Sequence, residues 1–365
     1  MHLIERQDFD TLFKALEGDG YTVIGPTYRD GSIILDQVSS SRELPRGWTD
    51  VQEAASYDTV STGRETLFEF VVGPNSWKRW LFPPRLRLFA AKKEGKRFDV
   101  EAPDESSDGK YAFLGVRSCE LHAIAIQDKI FMQGEYADSH YRARREKSLL
   151  IAVNCLTPSG TCFCASMETG PRALGGFDLA LTEVYEEGRH VFLVETGSAR
   201  GEEILGKTVH READEADSAL VDRLMGEAAR KMYRAMDTTN LQELLNKNFD
   251  HPHWDNVARR CLSCANCTLV CPTCFCSTVE DVTDLTGGRA ERWRRWDSCF
   301  TSDFTKVAGG NVRMSARSRY RQWLTHKLAN WIDQFGTRGC VGCGRCITWC
   351  PVGIDLTVEV EAFRK

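Results

Sequence analysis

The chain has 365 residues, of which 42% are hydrophobic and 27% charged, and carries a net charge of -5. This is ordinary globular usage, long enough for two domains and for a core that needs no covalent staples, and it has no overall nucleic-acid signature. No apolar run approaches the roughly eighteen residues of a membrane span. Glu5, Asp8 and Asp10 stand where a signal peptide needs a basic patch and an apolar run, so a cytoplasmic protein without a membrane partner is expected.

In chain order, Phe9, Leu12, Phe13 and Leu16 recur at helical spacing and predict a helix that Gly18 and Gly20 stop. YTVIGPTY and SIILDQV flank Asp30-Gly31 and predict a hairpin. LFEFVVGP, from Leu67, and YAFLGV, from Tyr111, read as strands, and CELHAIAIQDKIF, from Cys119, as the helix after the second of them. LLIAVNC, FDLALTEVY and RHVFLVETG add three more strand-like runs. Strands alternating with helices predict a mixed α/β domain over residues 1–210, with a mixed sheet because the Asp-Gly hairpin pairs antiparallel neighbours. From about Glu212 to Asn246 the pattern turns helical, and Tyr320, Leu324, Leu328, Trp331 and Phe335 make one apolar stripe between Ala316 and Phe335. Residues 211–365 are therefore expected to form a mainly helical domain.

Fifteen cysteines in a reducing compartment point to metal or redox chemistry, because disulfides rarely persist there, and eleven of them follow residue 260. Cys261, Cys264, Cys267 and Cys271-Pro272 spell C-x2-C-x2-C-x3-C-P, and Cys340, Cys343, Cys346 and Cys350-Pro351 repeat it. In two-cluster ferredoxins three thiolates at this spacing hold one cubane while the fourth reaches the other cluster. The predicted pairing is crossed: Cys261, Cys264 and Cys267 with Cys350, and Cys340, Cys343 and Cys346 with Cys271. Zinc also takes four thiolates at C-x2-C spacing, but zinc does not account for a tripled motif followed by x3-C-P, twice. Two [4Fe–4S] clusters are expected. Gly342 and Gly344 let backbone amides approach the sulfurs of the second loop, which predicts different potentials for the two clusters.

Sixty-eight residues separate Cys271 from Cys340, so the ferredoxin-like motif is split by a long insertion (277–339). The intervening stretch carries Cys274, Cys276 and Cys299, for which metal binding stays open, and eight arginines between Arg289 and Arg321, with Trp293 and Trp296 among them. Arginine interleaved with tryptophan is a pattern of single-stranded nucleic-acid binders and equally of partner-docking faces; the acidic chain and the lack of an RNA-binding motif favour the latter. In the first domain Cys155, Cys162 and Cys164 form a group, and Cys119 lies past another strand end. Loops at strand ends converge in α/β sheets, which makes these four a candidate third cluster; the rival reading is four small buried hydrophobes. His122, His251 and His253 read as surface or capping residues. There is no P-loop, no nucleophile–base pair and no G-x-G-x-x-G after a strand.

CLSCANCTLVCPTCFC, WDSCF and GCVGCGRCITWCPVGID, with GVRSCELHAIAIQD, VNCLTPSGTCFC and GFDLALTE, resemble the iron–sulfur beta subunit of cytoplasmic NiFe hydrogenases of the sulfhydrogenase type. The same stretches are similar to the iron–sulfur electron-transfer subunit of anaerobic sulfite reductase. The resemblance covers most of the chain. It implies a non-catalytic electron-transfer subunit linking a flavoprotein that handles NAD(P)H to the hydrogenase small and large subunits. FAD and the NiFe centre are then expected only on those partners. The same role in a sulfite reductase is the alternative, and an iron–sulfur regulator that binds nucleic acid is a weaker one.

Overall fold

The computed structural model describes residues 1–101, 109–186 and 188–365. The first half builds strands β1 (His2–Glu5), β2 (Thr22–Arg29), β3 (Ser32–Gln37), β4 (Trp48–Glu53), β5 (Ser56–Ser61), β6 (Arg85–Glu94), β7 (Arg97–Glu101), β8 (Tyr111–Val116), β9 (Leu149–Val153), β10 (Leu179–Glu186), β11 (Arg189–Thr196) and β12 (Arg211–Glu212). Among them lie helices α1 (Asp10–Gly18), α2 (Lys78–Leu81), α3 (Ser118–Met132), α4 (Ser139–Lys147) and α5 (Ala199–Gly206).

An eight-stranded sheet of order β12-β1-β11-β10-β9-β8-β2-β3 forms the platform. The strands β10, β9, β8 and β2 run parallel, while β3 and β11 pair antiparallel at either side, so the sheet is mixed. The β2–β3 turn is Asp30-Gly31 with φ of 50° and 74°, the left-handed pair a tight hairpin requires. Alternation sends Ile151 and Val153 of β9 to the core under α1 and α5, and Leu150 and Ala152 to the opposite core under α2, α3 and α4. Every residue of β9 is buried, as expected for a central strand covered on both faces.

The second half adds α6 (Glu215–Arg230), α7 (Leu241–Lys247), α8 (His253–Arg260), α9 (Asn266–Leu269), α10 (Ala316–Thr325), α11 (Trp331–Phe335), α12 (Arg345–Thr348) and α13 (Leu356–Glu361). The helices α7, α8, α10 and α13 enclose a core of Leu245, Trp254, Phe300, Tyr320, Trp323, Leu324, Ile347 and Leu356, against which most of the ferredoxin-like cysteines pack. Fully burying side chains of this size contributes about 2–3 kcal/mol each, which makes this core a rigid frame for the loops it carries.

Four expectations need correction. Leu67–Pro74 is not a strand. Its backbone is satisfied by buried side chains instead: the Leu67 and Phe68 amides donate to the Glu183 carboxylate, Val71 N to Asp50, and Arg117 donates to the carbonyls of Phe68 and Phe70. The helical stretch after Glu212 is interrupted between Arg230 and Leu241, where Met232 is drawn against Cys155 and Cys162 and Met236 N donates to Ser166. The long helix expected from Ala316 to Phe335 contains a π-turn, His326–Asn330. The arginine-rich insertion is not helical at its start: β13 (Ser277–Thr283) and β14 (Arg289–Trp296) form a four-stranded antiparallel sheet with β6 and β7, of order β13-β14-β6-β7.

Candidate metal centres

The two cysteine loops are built on one backbone plan. In the first, α8 ends at Arg260, Ser263 and Ala265 take φ of 52° and 69°, and the short helix α9 leads to Cys271. In the second, Gly342 and Gly344 take φ of 64° and 74° at the equivalent positions, and α12 leads to Cys350. Ser and Ala tolerate the left-handed region in the first loop, so dihedral freedom alone does not explain the glycines of the second. Packing does. A Cβ on Gly342 would stand 2.7 Å from Cys164 Cα, and one on Gly344 2.5 Å from the Thr161 carbonyl oxygen. The second loop is pressed against the Thr161–Cys164 segment, whereas Cys264 and Leu262 of the first loop are exposed.

Cys261, Cys264, Cys267 and Cys350 line one open pocket, together with Cys346 and with Phe300, Tyr320, Trp323 and Ile354 as apolar walls. Burial pushes the Cys267 thiol well up, and Cys261, Cys350 and Cys264 are the next charges it feels. For Cys346 the neighbours after burial are Cys340, Cys343 and Cys271. The fourth cysteine of each string thus lies with the other string's triad. Ser263 N donates to Cys261 Sγ at 3.4 Å and Ile354 N to Cys350 Sγ at 3.3 Å, the amide contacts that thiolates accept. Among the described residues, no three Cys, His, Asp or Glu side chains converge to hold a single metal ion. The donor set here, four soft thiolates spread around a cavity, fits a multi-iron cluster.

Four buried cations among these cysteines had no signal in the sequence, because only the tertiary fold buries them. Lys327, in the π-turn, places Nζ 3.2 Å from Cys271 Sγ and also donates to Thr273 Oγ1 and the Gly339 carbonyl. A π-turn at this spot is in keeping with the functional use of such irregularities. Lys78 of α2 donates to the carbonyls of Leu269, Cys271 and Cys274, and burial pulls its ammonium down to about 8. A hydrogen bond from Cys274, then the Lys327 charge, hold the Cys271 thiol well below its ordinary range. Arg345, between Cys343 and Cys346, is 1% exposed; it donates to Glu120 of α3 and to the carbonyls of Gly73 and Asn75. Arg117 lies beside Cys155 and donates to four carbonyl oxygens.

In the first domain Cys119, Cys155, Cys162 and Cys164 are all buried. Cys119 is the second residue of α3, and Cys155 follows β9 by two residues, both at C-terminal strand ends as the alternation requires. Cys164 feels Cys162, Cys155 and Cys343, whereas the neighbours of Cys119 are Cys164 and Cys343. The group is therefore contiguous with the second ferredoxin-like loop. Burial pushes Cys162 up to about 12. Cys274, Cys276 and Cys299 also meet, around a separate cavity. His253 Nε2 donates to the Glu359 carboxylate at 2.7 Å, and His251 accepts from the His253 amide, so neither faces a cysteine group. The arginines of β14 find carboxylates within the chain: Arg289 with Glu101 and Glu291, Arg292 with Asp281, Arg294 with Asp138, and Arg295 with Glu280.

Residues 260–354 match the family described as a 4Fe-4S dicluster domain. The chain is 33% identical over 329 residues to the sulfhydrogenase 2 subunit beta of Pyrococcus furiosus, covering 89% of this chain and 94% of that protein. No solved structure matches it. Among the described residues, no helix is long and apolar enough to cross a membrane.

Proposed function

This chain belongs to the family of sulfhydrogenase beta subunits, and from that premise we propose that it is the electron-transfer subunit of a cytoplasmic NiFe hydrogenase complex. Its partners are a flavoprotein subunit that handles NAD(P)H and the hydrogenase small and large subunits, which carry the FAD and the NiFe centre. Cys261, Cys264, Cys267 and Cys350 hold one [4Fe–4S] cluster and Cys340, Cys343, Cys346 and Cys271 the second. Cys119, Cys155, Cys162 and Cys164 hold a third, and the division between a first domain (1–210) and a cluster-bearing domain (211–365) belongs to the same proposal. When bound, the clusters supply one-electron carriers. The chain positions the thiolates, walls them with aromatic side chains and sets lysine and arginine charges beside them.

The observation that supports this reading is the pocket that Cys350 shares with Cys261, Cys264 and Cys267, beside one aromatic core. Iron and sulfide analysis of the anaerobically purified chain should give at least two clusters, about eight irons. Cys271→Ser should perturb the cluster of Cys340, Cys343 and Cys346; loss confined to the Cys261 group would break the crossed assignment. For the third cluster, Cys155→Ala should remove about four irons, and full iron content in that variant would reject it. Purification of the native complex should yield nickel and hydrogen-dependent NAD(P) reduction, whereas siroheme in its place would assign the chain to sulfite reduction.

A further inference from the structure

We propose that Cys274, Cys276 and Cys299 hold a further iron–sulfur cluster, ligated by three cysteines and one non-cysteine group. The inference goes beyond the function proposed above, which makes no use of these residues.

Three elements bring the thiols together. Cys274 and Cys276 follow Cys271-Pro272 on the segment that leads into β13, and Cys299 follows the end of β14, the strand hydrogen-bonded to β13. The β13–β14 hairpin therefore returns the chain to its starting point and sets Cys299 against Cys276. The backbone of Asp297 closes the loop by donating to the Cys276 carbonyl. The three cysteines line one pocket with Phe275, Trp323, His326, Lys327 and Trp331. Its walls are largely aromatic, and the His326 Nε2 on its rim is held by Trp331 Nε1 and Gln334 Oε1, so the fourth ligand comes from outside these residues or follows release of that imidazole.

Charge is the second observation. Lys78 and Lys327 are 4% and 3% exposed, and among the described residues neither has a carboxylate partner; both direct Nζ at carbonyl oxygens, the Thr273 hydroxyl or sulfur. A buried ammonium without a counter-charge is strongly unfavourable. The Cys271 and Cys274 sulfurs are the acidic groups that both lysines feel most strongly. Cys271 supplies one thiolate to this pair of cations in the function proposed above, and a metal-bound Cys274 supplies the second.

The third observation is a repeat. Thr-Cys-Phe-Cys occurs at 161–164 and again at 273–276. In both copies the threonine is fully buried and its hydroxyl ties the segment to the second cluster loop and its helix, Thr161 to Thr348 and Thr273 to the Gly339 carbonyl.

The test uses the full chain, purified anaerobically, with Cys276→Ser and Cys299→Ser as independent variants. Iron, acid-labile sulfide, zinc and EPR are measured for each. Each variant should lose about three or four irons per chain with matching sulfide, while the signals of the two ferredoxin-like clusters persist. Unchanged iron in both variants, or loss of one zinc per chain with no loss of iron, would overturn the proposal. Missing ferredoxin-like signals in the unmutated chain would defeat the function proposed above instead, and the difference between unmutated and variant chains would still read this site.

Discussion

Glu120→Ala tests how firmly the first domain holds the second cluster loop. Glu120 is 3% exposed and accepts from Arg345 on one oxygen and from Trp77 Nε1 (2.9 Å) and the Arg117 amide (3.2 Å) on the other. Removing the carboxylate leaves the Arg345 guanidinium buried without a counter-charge, along with two buried N–H groups without an acceptor. Breaking one side of such a pair costs about 3–5 kcal/mol. At roughly 1.5 °C per kcal/mol for a chain of this size, the anaerobic melting midpoint should fall by roughly 4–8 °C, read by circular dichroism on the cluster-loaded chain. Glu120→Gln keeps the acceptor for Trp77 but not the charge, and should fall between the variant and the unmutated chain. Combining Glu120→Ala with Arg345→Met removes the stranded charge, so the pair should be less damaged than Glu120→Ala alone. A midpoint unchanged by Glu120→Ala, or a double variant showing the full sum of both losses, would refute the reasoning.

Other expectations follow from the same geometry. Lys327→Gln should lower the potential of the cluster proposed at Cys271 by on the order of 100 mV, the effect of one charge several ångströms away at an effective dielectric near 20; an unchanged redox titration would count against the contact. Gly344→Ala forces a Cβ to 2.5 Å from the Thr161 carbonyl at a φ of 74°. It should destabilise by about 2 kcal/mol or more, whereas denaturant melts matching the unmutated chain would show the loop is not clamped. Glu183→Ala strands the Leu67 and Phe68 amides, which the carboxylate now accepts at 2.7 and 2.8 Å. A loss of about 3–5 kcal/mol, with faster hydrogen exchange at those two amides, is expected; slow exchange there would reject the anchor.

The parallel strands, the Asp30-Gly31 hairpin and the amphipathic helix α1 were legible because each is dictated by local periodicity or turn chemistry. Leu67–Pro74 was misread for the converse reason. Its apolar content is that of a strand, but the groups that satisfy its backbone, Glu183, Arg117 and Asp50, lie far away in sequence or on another element. Strands β6 and β14 escaped notice because their faces carry arginines paired to carboxylates across the sheet, and the pairing partners lie about two hundred residues apart. At the metal centres the cysteine spacing was visible and the compensating cations were not. Nothing in the stretches around Lys78, Arg117, Lys327 or Arg345 distinguishes them from surface residues until the fold buries them.

The close approach of Gly342 and Gly344 to Cys164 and Thr161 bears on how the molecule is matured. A loop whose backbone rests on the Thr161–Cys164 segment cannot reach its final shape before that segment is in place. The β13–β14 hairpin likewise needs β6 as its edge. Residues 260–354, though they coincide with a recognisable domain family, thus lack half of their own mould. During synthesis the N-terminal half emerges first and supplies it, so iron and sulfide delivery to the Cys340 loop would come as a late event, after the two halves have closed on one another. A factor that loads this loop would have to act on a nearly finished chain.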